Sequence, residues 1–360
     1  MTMSVWQRTD DFCRRFGMRV PILEAPMAGI CPPERAAAVA NAGGMGALGA
    51  LLLSPREITE WVAAFRALSD GPLQINLWIP DPPPVRNAES EARVARFLER
   101  WGPPVPAGAG DAPLQDFAAQ CDAIAAVRPT VVSSIMGVYP PDVAEQFSAL
   151  GIAWLACATN IRDARIAEGA GADAIVVQGV EAGGHRGAFD PDDVERSLVG
   201  LMALVPRVAD SVRVPVVATG GIADGRAVAA ALTLGASAVQ VGTALLRCPE
   251  TRLSPVWDAA LSECKPEETS LTRAFSGRWA RAVATEYVRA ANAPDAPEPA
   301  PYPVQRGLTA AMRADAVRRG ETNGMQMWAG QAAALALAEP AGAIVSRLWH
   351  EARELLPSSP

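Results

Sequence analysis

Short, almost continuously apolar runs alternate with amphipathic stretches over the first 250 residues. The runs are 20–29 (VPILEAPMAG), 45–53 (MGALGALLL), 73–79 (LQINLWI), 130–137 (TVVSSIMG), 153–159 (AWLACAT), 174–180 (AIVVQGV), 214–222 (VPVVATGGI) and 238–246 (AVQVGTALL). Runs without a polar alternate suit parallel strands buried on both faces. Between them, 32–42, 55–69, 141–149, 160–170, 192–208 and 224–235 are short and rich in alanine, as crossover helices are. Eight β-α units in about 250 residues match the size of a (β/α)₈ barrel. An open doubly wound sheet is the alternative. The count of eight favours the barrel, as does the clustering of polar and glycine residues at strand C-terminal ends.

Two segments break the rhythm. Residues 80–112 are rich in Pro, Gly and Ala, with one charged helix-like piece at 88–101. They follow the third strand, where active-site loops of a barrel lie. After residue 250 the β-α pattern stops. Residues 254–263, 272–283, 308–320 and 325–355 all read as helices, interrupted by a Pro-rich link at 292–305. The expected organisation is a barrel over 1–250 with an excursion at 80–112, a helical substrate cap over 251–325, and closing helices over 326–360 that pack back on the barrel.

Composition narrows the class. The 360 residues are 50% hydrophobic and carry a net charge of −7, enough apolar content for a large core. No basic tract points to nucleic acid. The six cysteines are scattered, without a CxxC pair or a nearby histidine, so no metal site is expected and buried thiols in a reducing compartment fit. The N-terminal stretch lacks the long apolar core of a secretory signal, and no apolar run reaches membrane-spanning length. A cytoplasmic protein without a membrane partner is the expectation.

The candidate chemistry lies in the loops. GMGALG (44–49) satisfies the dinucleotide pattern G-x-G-x-x-G, but a helix precedes it and a strand follows, the reverse of what that fingerprint needs. A tight helix-to-strand turn is the better reading. The stretches 218–232 and 239–250 each end an apolar strand with glycine and a small polar residue and then turn. As the seventh and eighth strands of a barrel they would hold a phosphate on backbone N–H groups, through Gly220, Gly221, Gly242 and Thr243. His185 sits among Gly183, Gly184 and Gly187 just after the sixth strand. A ring there, in a loop too glycine-rich to give it a packed apolar pocket, can lean over a ligand. It can take a proton near neutral pH or, as imidazolium, attract an anion. Tyr139 and Tyr302 are candidate substrate walls, and Arg186 is a candidate anion-attracting residue or a solvated charge. His350, Trp328 and Gln331 read as helix-surface or packing residues.

Taken together, PILEAPMAG, LQINLW, VVQGVEAGGHRG, VATGGIADGRAV, QVGTALLRCPE and the late MWAGQAAALA resemble the nitronate monooxygenase family, its class I branch most closely. The resemblance spans most of the chain and implies an FMN-containing TIM barrel with an α-helical substrate domain. Such an enzyme oxidises alkyl nitronates with O₂ to carbonyl compounds and nitrite, propionate 3-nitronate among the candidates. By the same resemblance, Gly220, Gly221 and the Gln240–Val241–Gly242–Thr243 segment would hold the FMN phosphate. Asn76 and Gln178 would hydrogen-bond the flavin ring, and Ala25, Pro26, Met27 and Ala28 would lie along it. Gly183 and Gly184 would let the loop pass close to the cofactor, and His185 would be catalytic. Asn and Gln offer donors and an acceptor on one side chain, which suits the mixed edge of a flavin. A small-molecule nitronate and O₂ are the expected partners, with a monomer or homodimer as the assembly. Two alternatives stay open: an FMN-dependent NAD(P)H-linked reductase of enoyl-ACP or quinone type, and a flavin-free barrel binding a phosphorylated metabolite.

Overall fold

The computed structural model describes residues 3–111 and 113–358. Residues 1–2, 112 and 359–360, at the edges of the expected barrel, excursion and closing helices, lie outside the described residues. The chain opens with helix α1 (Val5–Phe16) and enters the β-α series as β1 (Ile22–Glu24), α2 (Pro33–Asn41), β2 (Gly46–Gly49), α3 (Pro55–Arg66) and β3 (Leu73–Trp78). It continues through α4 (Ala88–Leu98), α5 (Phe117–Val127), β4 (Val131–Ile135), α6 (Pro141–Ala149), β5 (Ala153–Ala158), α7 (Ile161–Gly169) and β6 (Ala174–Gln178). A two-residue strand β7 (Gly184–His185) precedes α8 (Leu201–Ala209), β8 (Val216–Thr219), α9 (Gly225–Thr233) and β9 (Ala238–Val241). Beyond it lie α10 (Pro255–Glu263), β10 (Thr269–Thr272), β11 (Ala280–Val283), α11 (Glu286–Ala291), α12 (Val304–Leu308), α13 (Ala310–Arg319) and α14 (Ala341–Leu355).

Eight parallel strands pair in the order β1-β9-β8-β6-β5-β4-β3-β2. A parallel bridge from Leu23 to Met45 brings β1 onto β2 and all but closes the cylinder. This is a (β/α)₈ barrel. The doubly wound alternative needs an open sheet with two edges and a reversal of strand order, and neither is present.

Side-chain alternation builds the interior. Leu23, Met45, Val131, Leu155, Ala174, Val176, Val217 and Ala238 form one buried cluster inside the barrel, and Phe12, Cys13 and Phe16 of α1 close its lower end. The alternate residues, such as Ile75, Val132, Val177, Val239 and Val241, pack outward against the helices. One step further along the strands, the inward positions turn polar: Asn76, Ser133, Gln178, Thr219 and Gln240 all line one cavity. The same alternation that fills the floor therefore hands a polar rim to the C-terminal end.

A buried ion pair fastens the first unit. Glu24, at the end of β1, accepts a hydrogen bond from Arg35 Nε of α2 at 2.7 Å, and neither side chain is exposed. Glu24 also accepts from the Ala47 amide at 2.9 Å, and Arg35 Nη1 donates to Thr251 Oγ1 at 2.8 Å. With these partners the desolvated charges are satisfied, and they hold β1, β2 and the segment after β9 in one register. All six cysteines are buried and unpaired by disulfides.

Three helical expectations fail. Residues 192–208 hold a helix only from Leu201; 191–193 and 195–197 are single 3₁₀ turns. Residues 272–283 are not a helix but the turn and second strand of the antiparallel pair β10–β11, with Gly277 at φ 86°. Ser276–Gly277 is a turn signal that outweighs the helix-like spacing of the charges. Residues 325–340 run as extended chain and one 3₁₀ turn, with a bridge from Ala282 to Trp328, and Pro340 caps α14. The hairpin matters for function, because β11 also pairs with β7, placing Ala280 opposite His185.

Candidate active site

A cavity of about 520 Å³ opens over the polar rim. Its walls come from the segment after β1, the loops after β6, β8 and β9, and residues 257–332.

The loop after β6 is anchored by the strand it leaves. Gln178 Nε2 donates to the His185 carbonyl and its Oε1 accepts from the Gly187 amide, both at 2.9 Å. Gln178 therefore lines the cavity but spends its amide on the loop. Asn76 Nδ2 donates to the Ser133 carbonyl and hydroxyl at 3.2 and 3.1 Å, which leaves its carbonyl oxygen uncommitted. Gln240 Oε1 accepts from Gln74 Nε2 at 3.2 Å.

His185 is not bare, as its glycine neighbours suggested. Trp78 and Trp328 pack edge-on against it, with ring centroids 4.6 and 5.0 Å away, and Nε2 lies 2.8 Å from Ser276 Oγ. The apolar packing comes from β3 and the post-hairpin segment, not from its own loop. Burial, assisted by the nearby positive charges of Arg278 and Arg306, pushes its pKa down to about 3. That direction favours the neutral ring over the imidazolium.

At one end of the cavity, Gly220 (φ 121°) and Gly221 (φ 66°) turn the chain in a conformation suited to glycine. Among the described residues, the amides of Gly220, Gly221, Gly242 and Thr243 donate to no protein acceptor. The N-terminus of α9 is already capped by Asp224, whose Oδ1 accepts from the Ala227 amide at 2.9 Å. An anion at this end would therefore meet the loop amides rather than the helix terminus.

Two arginines also line the cavity. Arg306 of α12 lines the cavity and has no carboxylate within ion-pair distance among the described residues. Arg313 of α13 donates to Gln326 Oε1 at 3.0 Å and to the Arg306 carbonyl at 2.9 Å. Burial, followed by the charge of Arg306, lowers its pKa to about 10. Tyr302 packs at a tilt against Trp78, and its buried hydroxyl has no partner among the described residues.

Most of the expected site residues converge on this cavity: Ala25, Pro26, Met27, Ala28, Asn76, Gln178, Gly183, Gly184, His185, Gly220, Gly221, Gln240, Gly242, Thr243 and Tyr302 all line it. Three do not. Tyr139 is buried behind the barrel against Phe147 and Trp154, its hydroxyl donating to the Ser133 carbonyl at 3.0 Å. The turn at Met136–Gly137 sends the chain outward into the helix layer before Tyr139 is reached. Arg186 is neither solvated nor in the cavity. It is 2% exposed and its guanidinium donates to the carbonyls of Gly179 and Gln178 at 2.6 and 3.3 Å. As the residue after His185 it points to the opposite face. Val241 is likewise an outward residue of β9.

Gly183 also meets a tight packing demand from the chain itself. A Cβ there would sit 2.5 Å from the Gly330 amide nitrogen, so the close approach is to the chain at 329–330. Trp78, Ser276, Arg306, Arg313 and Trp328 were not anticipated as site residues. Trp78 was within reach, since it shares the inward face of β3 with Gln74 and Asn76. Trp328 lies in a segment whose spacing predicts a helix but which runs extended, bridged to Ala282. Ser276, Arg306 and Arg313 arrive from a part of the chain with no local signal linking it to residue 185. His350 is exposed on α14, as expected. Among the described residues no cluster of metal-ligating side chains occurs, and no helix is long and apolar enough to cross a membrane.

Comparison with known proteins adds a family. The family profile for nitronate monooxygenase matches residues 12–351. The nitronate monooxygenase of Paraburkholderia phytofirmans is 40% identical over 349 residues, covering 94% of this chain and 93% of that protein. The one from Pseudomonas aeruginosa is 37% identical over 354 residues, covering 96% and 99%. Among solved structures, nitroalkane oxidase from Streptomyces ansochromogenes superposes with a TM-score of 0.86 at 34% identity, covering 96% of this chain and 98% of that one. FabK from Thermotoga maritima superposes at 0.73 with 26% identity, covering 96% of each chain. The chain thus belongs to the nitronate monooxygenase family and is an oxidoreductase.

Proposed function

We propose that the protein is an FMN-dependent nitronate monooxygenase, oxidising alkyl nitronates with O₂ to carbonyl compounds and nitrite. The observation that carries this reading is the set of polar groups that one cavity over the barrel's rim brings together. Uncommitted amides at 220–221 and 242–243 line it together with His185, Arg306 and Arg313. The donor set fits FMN. The amides of Gly220, Gly221, Gly242 and Thr243 would hold the phosphate, Asn76 would offer its open carbonyl to the ring edge, and residues 25–28 would lie along the ring. When bound, FMN supplies the electron acceptance and oxygen reactivity that no side chain here can.

The protein's own part is binding and orientation. A nitronate is an anion, and Arg306 and Arg313 give the cavity a positive potential in a partly desolvated space. Trp78, Trp328 and Tyr302 shape it and keep bulk water from the reacting carbon. His185, held neutral, can accept the α-proton of a neutral nitroalkane as general base. A small-molecule substrate and oxygen are the partners, and the reading takes the protein as a cytoplasmic monomer or homodimer.

The test is oxygen uptake with propionate 3-nitronate and ethylnitronate by the purified yellow protein, with NADH oxidation run alongside. Nitrite release with oxygen consumption, and no NADH-dependent bleaching under anaerobic conditions, is expected. Rapid bleaching by NADH without nitronate turnover would replace this reading with the reductase one. Colourless protein that gains nothing from added FMN would overturn both.

A further inference from the structure

We propose that Ser276 is a positioning residue that holds His185 in the tautomer protonated on Nε2, so that Nδ1 presents a lone pair to the cavity. The inference rests on the reading of His185 given above.

The Ser276 hydroxyl is 2% exposed and lies at a junction of three groups. Its Oγ is 2.8 Å from His185 Nε2, and 3.3 Å from both the amide nitrogen and the carbonyl oxygen of Arg278. The hydroxyl has one proton and two acceptors within reach. If the proton goes to Nε2, His185 carries its own proton on Nδ1, which has no protein acceptor. If it goes to the Arg278 carbonyl, Oγ accepts both the Arg278 amide and Nε2–H, and every donor in the cluster has an acceptor. The second arrangement pairs the Arg278 carbonyl as well as Nε2–H within the cluster, so it is favoured. Trp78 and Trp328 pack on the ring and hinder the flip that would exchange the two nitrogens.

The hairpin β10–β11 makes this possible. Its turn carries Ser276, and its second strand pairs with β7, so one element sets both the height of His185 and the partner of its ring.

The experiment is two-bond ¹H–¹⁵N correlation on protein labelled with ¹⁵N-histidine. The chain has only two histidines, so His350→Gln assigns the spectrum in one step. Wild-type protein should show a pyrrole-like Nε2 and a pyridine-like Nδ1 for His185. Ser276→Ala should give averaged or reversed nitrogen shifts, and Ser276→Thr should restore the wild-type pattern. Turnover of a neutral nitroalkane by Ser276→Ala should fall at least about tenfold more than turnover of the corresponding nitronate, because only the former needs a base. If the alanine variant does not fold, Ser276→Cys removes the strong hydrogen bond at similar volume and serves in its place. A wild-type His185 protonated on Nδ1, or a His185 spectrum unchanged in Ser276→Ala, would overturn the proposal. The spectrum needs no turnover, so loss of nitronate oxidation with the tautomer pattern intact would count against the functional reading alone.

Discussion

Gln178 and His185 are joined side chain to main chain: the Gln178 amide donates to the His185 carbonyl at 2.9 Å while accepting from Gly187 two residues on. One inward side chain at the end of β6 thus sets the path of the loop that carries the histidine. Gln178→Ala leaves a carbonyl and an amide without partners in a largely water-free place. A loss of about 2–4 kcal/mol in unfolding free energy is expected by denaturant titration. Turnover should fall with it, because the ring loses its support. Unchanged stability would show that the loop is held by β11 alone.

The two glycines before the histidine should respond differently. At Gly183 a Cβ would meet the Gly330 nitrogen at 2.5 Å and the Ala329 carbonyl carbon at 2.6 Å, main-chain atoms that cannot swing away. At Gly184 (φ 74°) nothing lies within 4 Å. Gly184→Ala should cost roughly 1–2 kcal/mol of backbone strain. Gly183→Ala should cost about 3 kcal/mol or more and weaken flavin retention on gel filtration. Equal effects would mean that the 329–330 segment yields freely.

Among the described residues, Arg306 lines the cavity without a carboxylate partner. Arg306→Gln should raise KM for an anionic nitronate roughly tenfold at low ionic strength, with a smaller change in kcat. The wild-type KM should rise with salt more steeply than that of the variant, which keeps Arg313. A KM that is insensitive to both salt and the substitution would remove Arg306 from substrate capture.

The depressed pKa of His185 makes stability depend on pH. Its folded value, about 3, lies below the ordinary 6.5, so between these limits the unfolded chain binds the extra proton. The neutral ring's contribution is present in full above about pH 6.5 and drains away as pH falls towards 3. His185→Asn should flatten this acid limb in urea titrations across that window, while keeping flavin and losing most turnover. An identical limb in wild type and variant would mean that His185 is not buried as a neutral ring.

The sequence by itself determined the barrel, the eight strand positions and the two glycine corners. Strand and crossover helix are short-range patterns, and inward–outward alternation follows from the two-residue repeat of a strand. That repeat also carried Asn76, Gln178 and Gln240 to the cavity, and it could have carried Trp78. Local pattern misled where a turn overrode it, as at Ser276–Gly277, and where a neighbour of a site residue pointed the other way, as at Arg186 and Val241. Only the tertiary structure decided what surrounds His185. Trp78, Ser276, Trp328 and Arg306 reach it from strands, a hairpin and helices far along the chain. Their meeting depends on β11 pairing with β7, a long-range contact that no periodicity near residue 185 encodes.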